Sequence, residues 1–410
     1  MFRDYDPGQD KESVLRIWRE VGWLEEGKDK LTEVLARFIF CGRTLVAEID
    51  GAAECLVNAV PATMRYLDQD LSFSAVLGVS TSRIARKQGL ASRLTAMAVA
   101  QDAADGVQLA GLGIFEQGFY NQLGFGSGSY EHWFAFDPAR LRIDVKARVP
   151  RRLSTDDWAA AHAARLARLR SHGSLNVFPA VVTEAEMAWT NNGFGLGYYD
   201  GPDGELTHYL WCQAKGPIGP YFVKWMCFQT REQFLELMAL LRNLGDQIRL
   251  VRVQEPPGIQ LHDLIEQPFK QRQISRRSEY ESTVHASAYW QVRMCDLAGC
   301  LARTHLPGDT VRFNLALADP IERFLGDDVP WRGLSGDYVV TLGPSSGVEP
   351  GTDADLPTLT VSVGAFTRMW LGVRPATGLS MTDDLAGPQG LLEALDRTLR
   401  LPAPKLDWDI

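Results

Sequence analysis

The sequence predicts an α+β chain of three successive domains, and three observations carry that prediction. Between Thr44 and Phe125, two strands joined by Asp50-Gly51 lead into a strand–turn–helix–strand series that ends in an aromatic segment. Between Gly195 and Ile265 the strand–helix–strand–helix order recurs. From Tyr289 a third set of alternating strands and short helices begins. A chain of 410 residues is also longer than one hydrophobic core usually organises.

The first domain opens with a helix over Asp10 to Val21, where Val14, Leu15, Trp18 and Val21 share one face and Gly22 ends it. Glu25 and Glu26 follow Trp23 in a loop or second short helix, and Leu31 to Phe40 is helical again. Thr44–Ile49 and Ala52–Val60 are β-rich and flank Asp50-Gly51, a strong hairpin signal. A further strand at Met64–Leu67 leads into another at Ser72–Thr81.

Next comes Arg86-Lys87-Gln88-Gly89-Leu90-Ala91-Ser92, and from Leu90 the apolar positions Leu90, Leu94, Met97 and Ala98 follow a helical period. The first turn of a helix carries unpaired N–H groups and the positive end of the dipole, which suit an anion. Gly89 allows phosphate close to the backbone, and Arg86 and Lys87 add charge. A solvated basic turn with a packing glycine would carry the same residues. A strand before, a helix after and an aromatic segment one strand later make the phosphate reading specific. That segment, Phe119-Tyr120-Asn121-Gln122-Leu123-Gly124-Phe125, places a phenol beyond a strand end, where Tyr120 either packs or does chemistry.

In the second domain Ser154-Thr-Asp-Asp157 precedes an alanine-rich helix from Trp158 to Ser171, which Gly173 ends. Strands at Gly195–Tyr199, Thr207–Gln213 and Tyr221–Phe228 lead to a helix at Thr230–Leu244, a strand at Ile248–Val253 and a helical turn at Leu261–Ile265. The basic turn is missing from this second series. Thr230-Arg-Glu-Gln233 stands there instead, a capping box that satisfies the helix start with its own side chains. No second aromatic segment of the Phe119–Phe125 kind follows. The expectation is a degenerate copy that binds no cofactor.

The third domain has strands at Tyr289–Met294, Val311–Ala318, Tyr338–Leu342 and Leu359–Val363. Its helices are Asp296–Thr304, Ala365–Leu371 and Gly390–Leu399, and Gly343–Asp355 is a loop. The tail, Pro402-Ala-Pro-Lys-Leu-Asp-Trp-Asp409-Ile410, is extended, and its bulky Leu406, Trp408 and Ile410 call for a docking surface.

Net charge of −9 argues against a nucleic-acid partner and fits a cationic small molecule, although acidity also serves solubility. The six cysteines show no CxxC spacing and read as buried thiols of a reducing compartment. The seven histidines show no paired-ligand spacing, so no metal is expected. A charged N-terminus and the lack of a long apolar run predict a cytoplasmic protein with no membrane span.

The basic turn and the F-Y-x-x-L-G-F segment together resemble the GNAT superfamily of acetyl-CoA-dependent N-acetyltransferases. The resemblance implies that Arg86, Lys87, Gln88, Gly89, Leu90, Ala91 and Ser92 hold the pyrophosphate of acetyl-CoA. It implies also that the strand bearing Val79 and Thr81 pairs with the pantetheine arm. Tyr120 corresponds to the tyrosine that protonates the departing thiolate, and a strand N–H near Val79 would stabilise the oxyanion. Arg83 departs from the family, which commonly has proline there.

The three-part plan is similar to that of the Eis-type acetyltransferases. So are the run from Tyr289 to Arg303, Y-W-Q-V-R-M-C-D-L-A-G-C-L-A-R, and the short helix before Trp370-Leu371-Gly372. This closer resemblance implies an active GNAT domain over 1–141, a degenerate GNAT-like domain over 142–284, and a domain like sterol carrier proteins over 285–410. It implies that the C-terminal carboxylate, here that of Ile410, returns to the active domain as the base. Ile410 stands where the best-known members have an aromatic residue. The implied acceptors are polyamine-like or aminoglycoside-like amines. By their charge, Glu25, Glu26 and Asp409 are candidate anchors for further ammonium groups, although lone loop carboxylates are usually just solvated. Trp23, Phe40 and Phe119 either wall the entry or belong to the core. A homo-oligomer, as large as a hexamer, is implied too. The rival readings are a protein-lysine acetyltransferase and a lipid-binding module on an inactive scaffold.

Overall fold

The computed structural model describes residues 1–268, 275–327 and 329–410. The chain divides into two units. One comprises Met1–Ser129, His172–Val177 and Ala288–Ile410, and the other Tyr130–Ser171 and Phe178–Ser287.

In the first unit, β1 (Phe2–Asp4) precedes α1 (Pro7–Glu20) and α2 (Asp29–Ile39). Asp6 caps α1 by accepting from the Gly8 N–H, and Pro7 occupies the first turn, where its missing N–H costs nothing. Trp18 on the inner face is fully buried and donates its indole N–H to Ser80 Oγ at 3.2 Å. Glu25 and Glu26 fall in the loop between the two helices.

The hairpin at Asp50-Gly51 joins β2 (Arg43–Ile49) to β3 (Ala52–Tyr66), and both turn residues take positive φ, as a tight hairpin requires. Here the structure corrects one expectation. Ala52–Val60 and Met64–Leu67 are a single strand that runs through Pro61 and ends at Tyr66. Proline lacks the N–H of a ladder residue, but Pro61 sits where β2 has ended, beyond Arg43↔Ala59, and before the short strand Leu175–Val177 begins at Ala62↔Val177. Next come β4 (Gln69–Thr81), α3 (Leu90–Ala104), β5 (Leu109–Gly113) and β6 (Gly126–Ser127).

The strand Trp290–Met294, from the last third of the sequence, lies between β5 and β6 in this sheet. Conversely, Glu131–Phe136 pairs with Val251–Gln254 and Thr283–Ser287 in the sheet of the second unit. Sheet membership therefore crosses the divisions at 141 and 284. Chain periodicity marks a strand but not its neighbours, because pairing is a non-local choice.

The second unit holds a seven-stranded sheet among the described residues. Its first helix spans Trp158–Ala167, shorter than expected, because Arg168 turns extended and the chain leaves so that His172–Val177 can join the first unit. His172 is buried there, with Nδ1 accepting from the Leu67 N–H at 3.1 Å and Nε2 donating to the Leu371 carbonyl at 2.8 Å. A helix at Ala180–Trp189 has no counterpart in the sequence reading. The helix Arg231–Asn243 is capped by Thr230, which accepts from the Gln233 N–H. Gln233 reaches back to the Gln229 N–H at 2.7 Å, one residue before the cap itself.

The remaining described strands form a five-stranded sheet within the first unit, centred on Val311–Ala318. The expected loop at Gly343–Asp355 contains a strand, Gly347–Pro350, that folds back on Gly336–Leu342. Ser346 Oγ accepts from the Gly343 N–H at 3.0 Å and closes that turn. A short helix at Ala376–Thr382 likewise has no counterpart in the sequence reading.

Candidate active site

The site begins with a strand pair that stops early. β4 and β5 are parallel over Phe73↔Leu109, Ser74↔Ala110 and Ala75↔Gly111, and the ladder ends there, although β4 continues to Thr81. The last residues of β4 therefore present an unmatched edge toward the side of β5. Their other edge pairs with β3, with a register shift between Leu56 and Asn58. Cα partners run Leu56↔Ser80 and then Asn58↔Leu77, which leaves Gly78 and Val79 facing the single Val57. This is a β-bulge, and Gly78 supplies the positive φ of 63°.

Thr81 Oγ1 lies 3.1 Å from Cys55 Sγ, and burial pushes the Cys55 thiol up to about 11. A short 3₁₀ turn, Arg83–Ala85, follows. The Arg83 N–H donates to Glu20 Oε2 at 2.7 Å. Proline could not make that bond, so this departure from the family pattern is anchored by a contact of its own.

Gly89 precedes α3 with φ 74°, and no side chain caps the helix start. The N–H groups of Leu90, Ala91 and Ser92 are thus the first-turn donors that the dipole makes attractive to an anion. Arg86, Lys87 and Gln88 are exposed beside them. The second unit's helix differs at this point, since Thr230 fills its N-terminus.

The end of β4 and the start of α3 line one groove of about 430 Å³. Val79, Thr81, Arg86, Lys87, Gln88, Gly89, Leu90, Ala91, Ser92 and Tyr120 are brought together there, joined by Trp23, Phe115, Glu116 and Phe119. Tyr120 is 7% exposed and packs edge-on against Phe119 and Phe125. Burial, with a smaller contribution from Cys55, pushes its phenol up to about 12.

The turn that carries Tyr120 explains the glycine of the aromatic segment. Gly124 has φ 80°, and a Cβ there would stand 2.6 Å from Val363 Cγ1 and 2.9 Å from Arg293 Nη1. Gly124→Ala is expected to cost about 2–4 kcal/mol from the left-handed backbone and the overpacking together. Urea denaturation measures it, and an unchanged midpoint would contradict the packing argument.

The tail is docked within the same unit. Pro404, Leu406 and Trp408 are buried in alternation. The Lys405 N–H donates to the His172 carbonyl at 2.9 Å, and Asp407 Oδ1 accepts from the Leu175 N–H at 3.1 Å. A Cβ on Gly113 would fall 2.1 Å from the Ile410 oxygen, so the chain end lies against the last residue of β5. Ile410 does not line the groove itself; Phe115, two residues beyond Gly113, does. Asp409 is exposed.

Glu25 is exposed and pairs with Lys28 at 2.8 Å, and neither it nor Glu26 lines the groove. The carboxylates found there are Glu20 and Glu116. Glu116 follows β5 closely, a position that strand-end reasoning could have flagged. Trp23 and Phe119 line the groove, whereas Phe40 is exposed and does not.

Among the described residues, Asp200, His208 and Glu236 of the second unit could converge on a metal ion. The Arg148 guanidinium already lies 2.6 Å from Asp200 and 2.7 Å from Glu236, and it holds the Glu236 carboxyl down at about 2. That cluster is built around a guanidinium.

A parallel pair that parts, a bulge and an uncapped helix start thus open on one groove. Residues 7–128 match the family model for the acetyltransferase (GNAT) domain. Over 413 aligned residues the chain is 25% identical to an uncharacterized N-acetyltransferase of Streptomyces avermitilis, covering 93% of this chain and 92% of the relative. Its fold matches a probable N-acyltransferase from Enterococcus faecalis with a TM-score of 0.78 at 16% identity, over 100% of this chain and 99% of that one. It also matches Eis1 from Mycobacterium abscessus with a TM-score of 0.76 at 14% identity, over 100% of both chains. Residues 7–128 are thus a GNAT acetyltransferase domain, and the chain as a whole shares its fold with Eis1 from Mycobacterium abscessus. No described helix is long and apolar enough to cross a membrane.

Proposed function

We propose that the chain transfers acetyl from acetyl-CoA directly to an amine of a cationic small molecule, polyamine-like or aminoglycoside-like, in a ternary complex. The observation that carries this reading is the convergence of the free β4 edge, the uncapped α3 start and the Tyr120 ring on one groove. In this reading the edge at Val79 and Thr81 receives the pantetheine arm. The turn from Arg86 to Ser92 receives the pyrophosphate.

An alkylammonium titrates near 10.4, so the acceptor must lose a proton before its nitrogen can attack. The Ile410 carboxylate takes that proton, directly or through water. As the N–C bond forms and the C–S bond breaks, the Val79 N–H donates to the thioester oxygen and Tyr120 donates to the sulfur. Glu25, Glu26 and Asp409 stand as outer anchors for further ammonium groups, with Glu116 nearer the reaction.

The same proposal keeps the division into 1–141, 142–284 and 285–410, a sterol-carrier-like last domain, and a homo-oligomer. CoA release measured across polyamines, aminoglycosides and lysine peptides tests the substrate class. Turnover on lysine peptides alone would move the protein to the lysine-acetyltransferase class. Replacing Arg86 and Lys87 together by alanine is expected to weaken acetyl-CoA binding by about tenfold or more, since charge-assisted phosphate contacts are the strong ones. Calorimetric titration checks it, and an unchanged Kd would remove this turn from the phosphate site.

A further inference from the structure

The groove accounts for what Tyr120 faces but not for what holds it. Its turn is a single 3₁₀ stretch at Asn121–Leu123, closed by local hydrogen bonds that include the Gly124 N–H to the Asn121 carbonyl at 3.0 Å. The Tyr120 carbonyl accepts from the Leu123 N–H at 2.9 Å and from the Phe125 N–H at 3.3 Å. Asn121 Nδ2 donates to the Phe125 carbonyl at 3.2 Å, and Gln122 Nε2 to Ser92 Oγ at 3.3 Å. Three further anchors come from the last third of the sequence.

Arg293 Nη1 donates to the Leu123 carbonyl, and Nη2 donates to Asp319 Oδ2 at 2.6 Å. Gln291 Nε2 donates to Asn121 Oδ1 at 3.1 Å. Arg323 Nη2 donates to the Gln122 carbonyl at 3.1 Å. Gln291 and Arg293 alternate on one strand, so they share a face, and both are fully buried. Asp319 is fixed in turn by the N–H groups of Ile321 and Leu334.

Burying a guanidinium and a carboxylate is a poor route to stability, because desolvation offsets the attraction. What such a pair supplies is a rigid fork of donors. Leu123 is consequently held on both sides, its N–H by Tyr120 and its carbonyl by Arg293.

We propose that Arg293, held by Asp319 and supported by Gln291, is a positioning residue for the Tyr120 phenol. The last third of the chain thereby sets the geometry of the proton donor. The inference rests on the reading of Tyr120 as that donor.

The test is a double-mutant cycle on the full chain, with Tyr120→Phe, Arg293→Lys, Gln291→Met and the two doubles. Lysine keeps the charge beside Asp319 but cannot fork to Leu123 as well. Arg293→Lys is expected to lower kcat by about 10- to 100-fold with the acetyl-CoA KM nearly constant, as for a displaced catalytic group. In the Tyr120→Phe background the same change should cost less than about twofold. Equal losses in both backgrounds would overturn the positioning role while leaving Tyr120 as donor. A Tyr120→Phe enzyme with full kcat would instead remove the donor reading itself. Should Arg293→Lys not fold, Gln291→Met carries the test: a kcat loss that vanishes in the Tyr120→Phe background supports the proposal, and an unchanged kcat overturns it.

Discussion

Tyr120→Phe is expected to lower kcat by about 100-fold or more while acetyl-CoA binding stays within about twofold. The ring remains, so packing against Phe119 and Phe125 is kept and only the hydroxyl is lost. With its pKa pushed up to about 12, the phenol is protonated throughout the neutral range. In the proposed reaction the departing sulfur belongs to a thiol that titrates near 8.5 by analogy with cysteine. Full transfer from such a phenol runs uphill, so its main effect is hydrogen-bond donation to charge developing on sulfur. The sign of the stability effect follows from the same shift. The folded-state value lies above the ordinary value of 10, so the contribution is complete below pH 10 and is lost as pH rises through about 12. Tyr120→Phe should lose less stability than the parent between those values. Steady-state kinetics and denaturation at two pH values check both parts; unchanged turnover would end the donor reading.

Extending the chain beyond Ile410, or deleting that residue, is expected to reduce kcat by about 100-fold or more without unfolding the protein. The Ile410 oxygen lies against Gly113, at the end of the strand that diverges from β4. Gly113→Ala tests the same contact from the other side, because its methyl would occupy the place of that oxygen. Leu406 and Trp408 are buried and keep the rest of the tail docked in each variant, so the loss should be confined to the reaction. Full activity from a C-terminally extended enzyme would exclude the terminal carboxylate as base.

Much of the local structure was legible because its signals are local. Asp50-Gly51 demands a hairpin, the apolar face of α1 repeats at helical spacing, and Gly89 stands between a strand and a helix. The continuous β3 was not legible, since Pro61 is tolerated only because one neighbouring strand ends there before another begins. Nor was the position of Trp290–Met294 between β5 and β6, because a strand's apolar pattern is silent about its partners. Glu25 and Glu26 carried a charge suited to a cation, and Lys28 satisfies one of them away from the groove.

Residue types at short spacing were enough to mark a basic, glycine-bearing helix start at Arg86–Ser92 and a phenol at Tyr120. Backbone conformation and hydrogen-bonding capacity dictate those directly. Where they open was settled by the folded chain. The β4–β5 ladder stops at Ala75↔Gly111, the chain end comes to rest at Gly113, and Arg293 reaches Leu123 from 170 residues away. Each of these is a contact between segments distant in the chain, selected by packing and by the pairing of buried polar groups, and no local pattern encodes it.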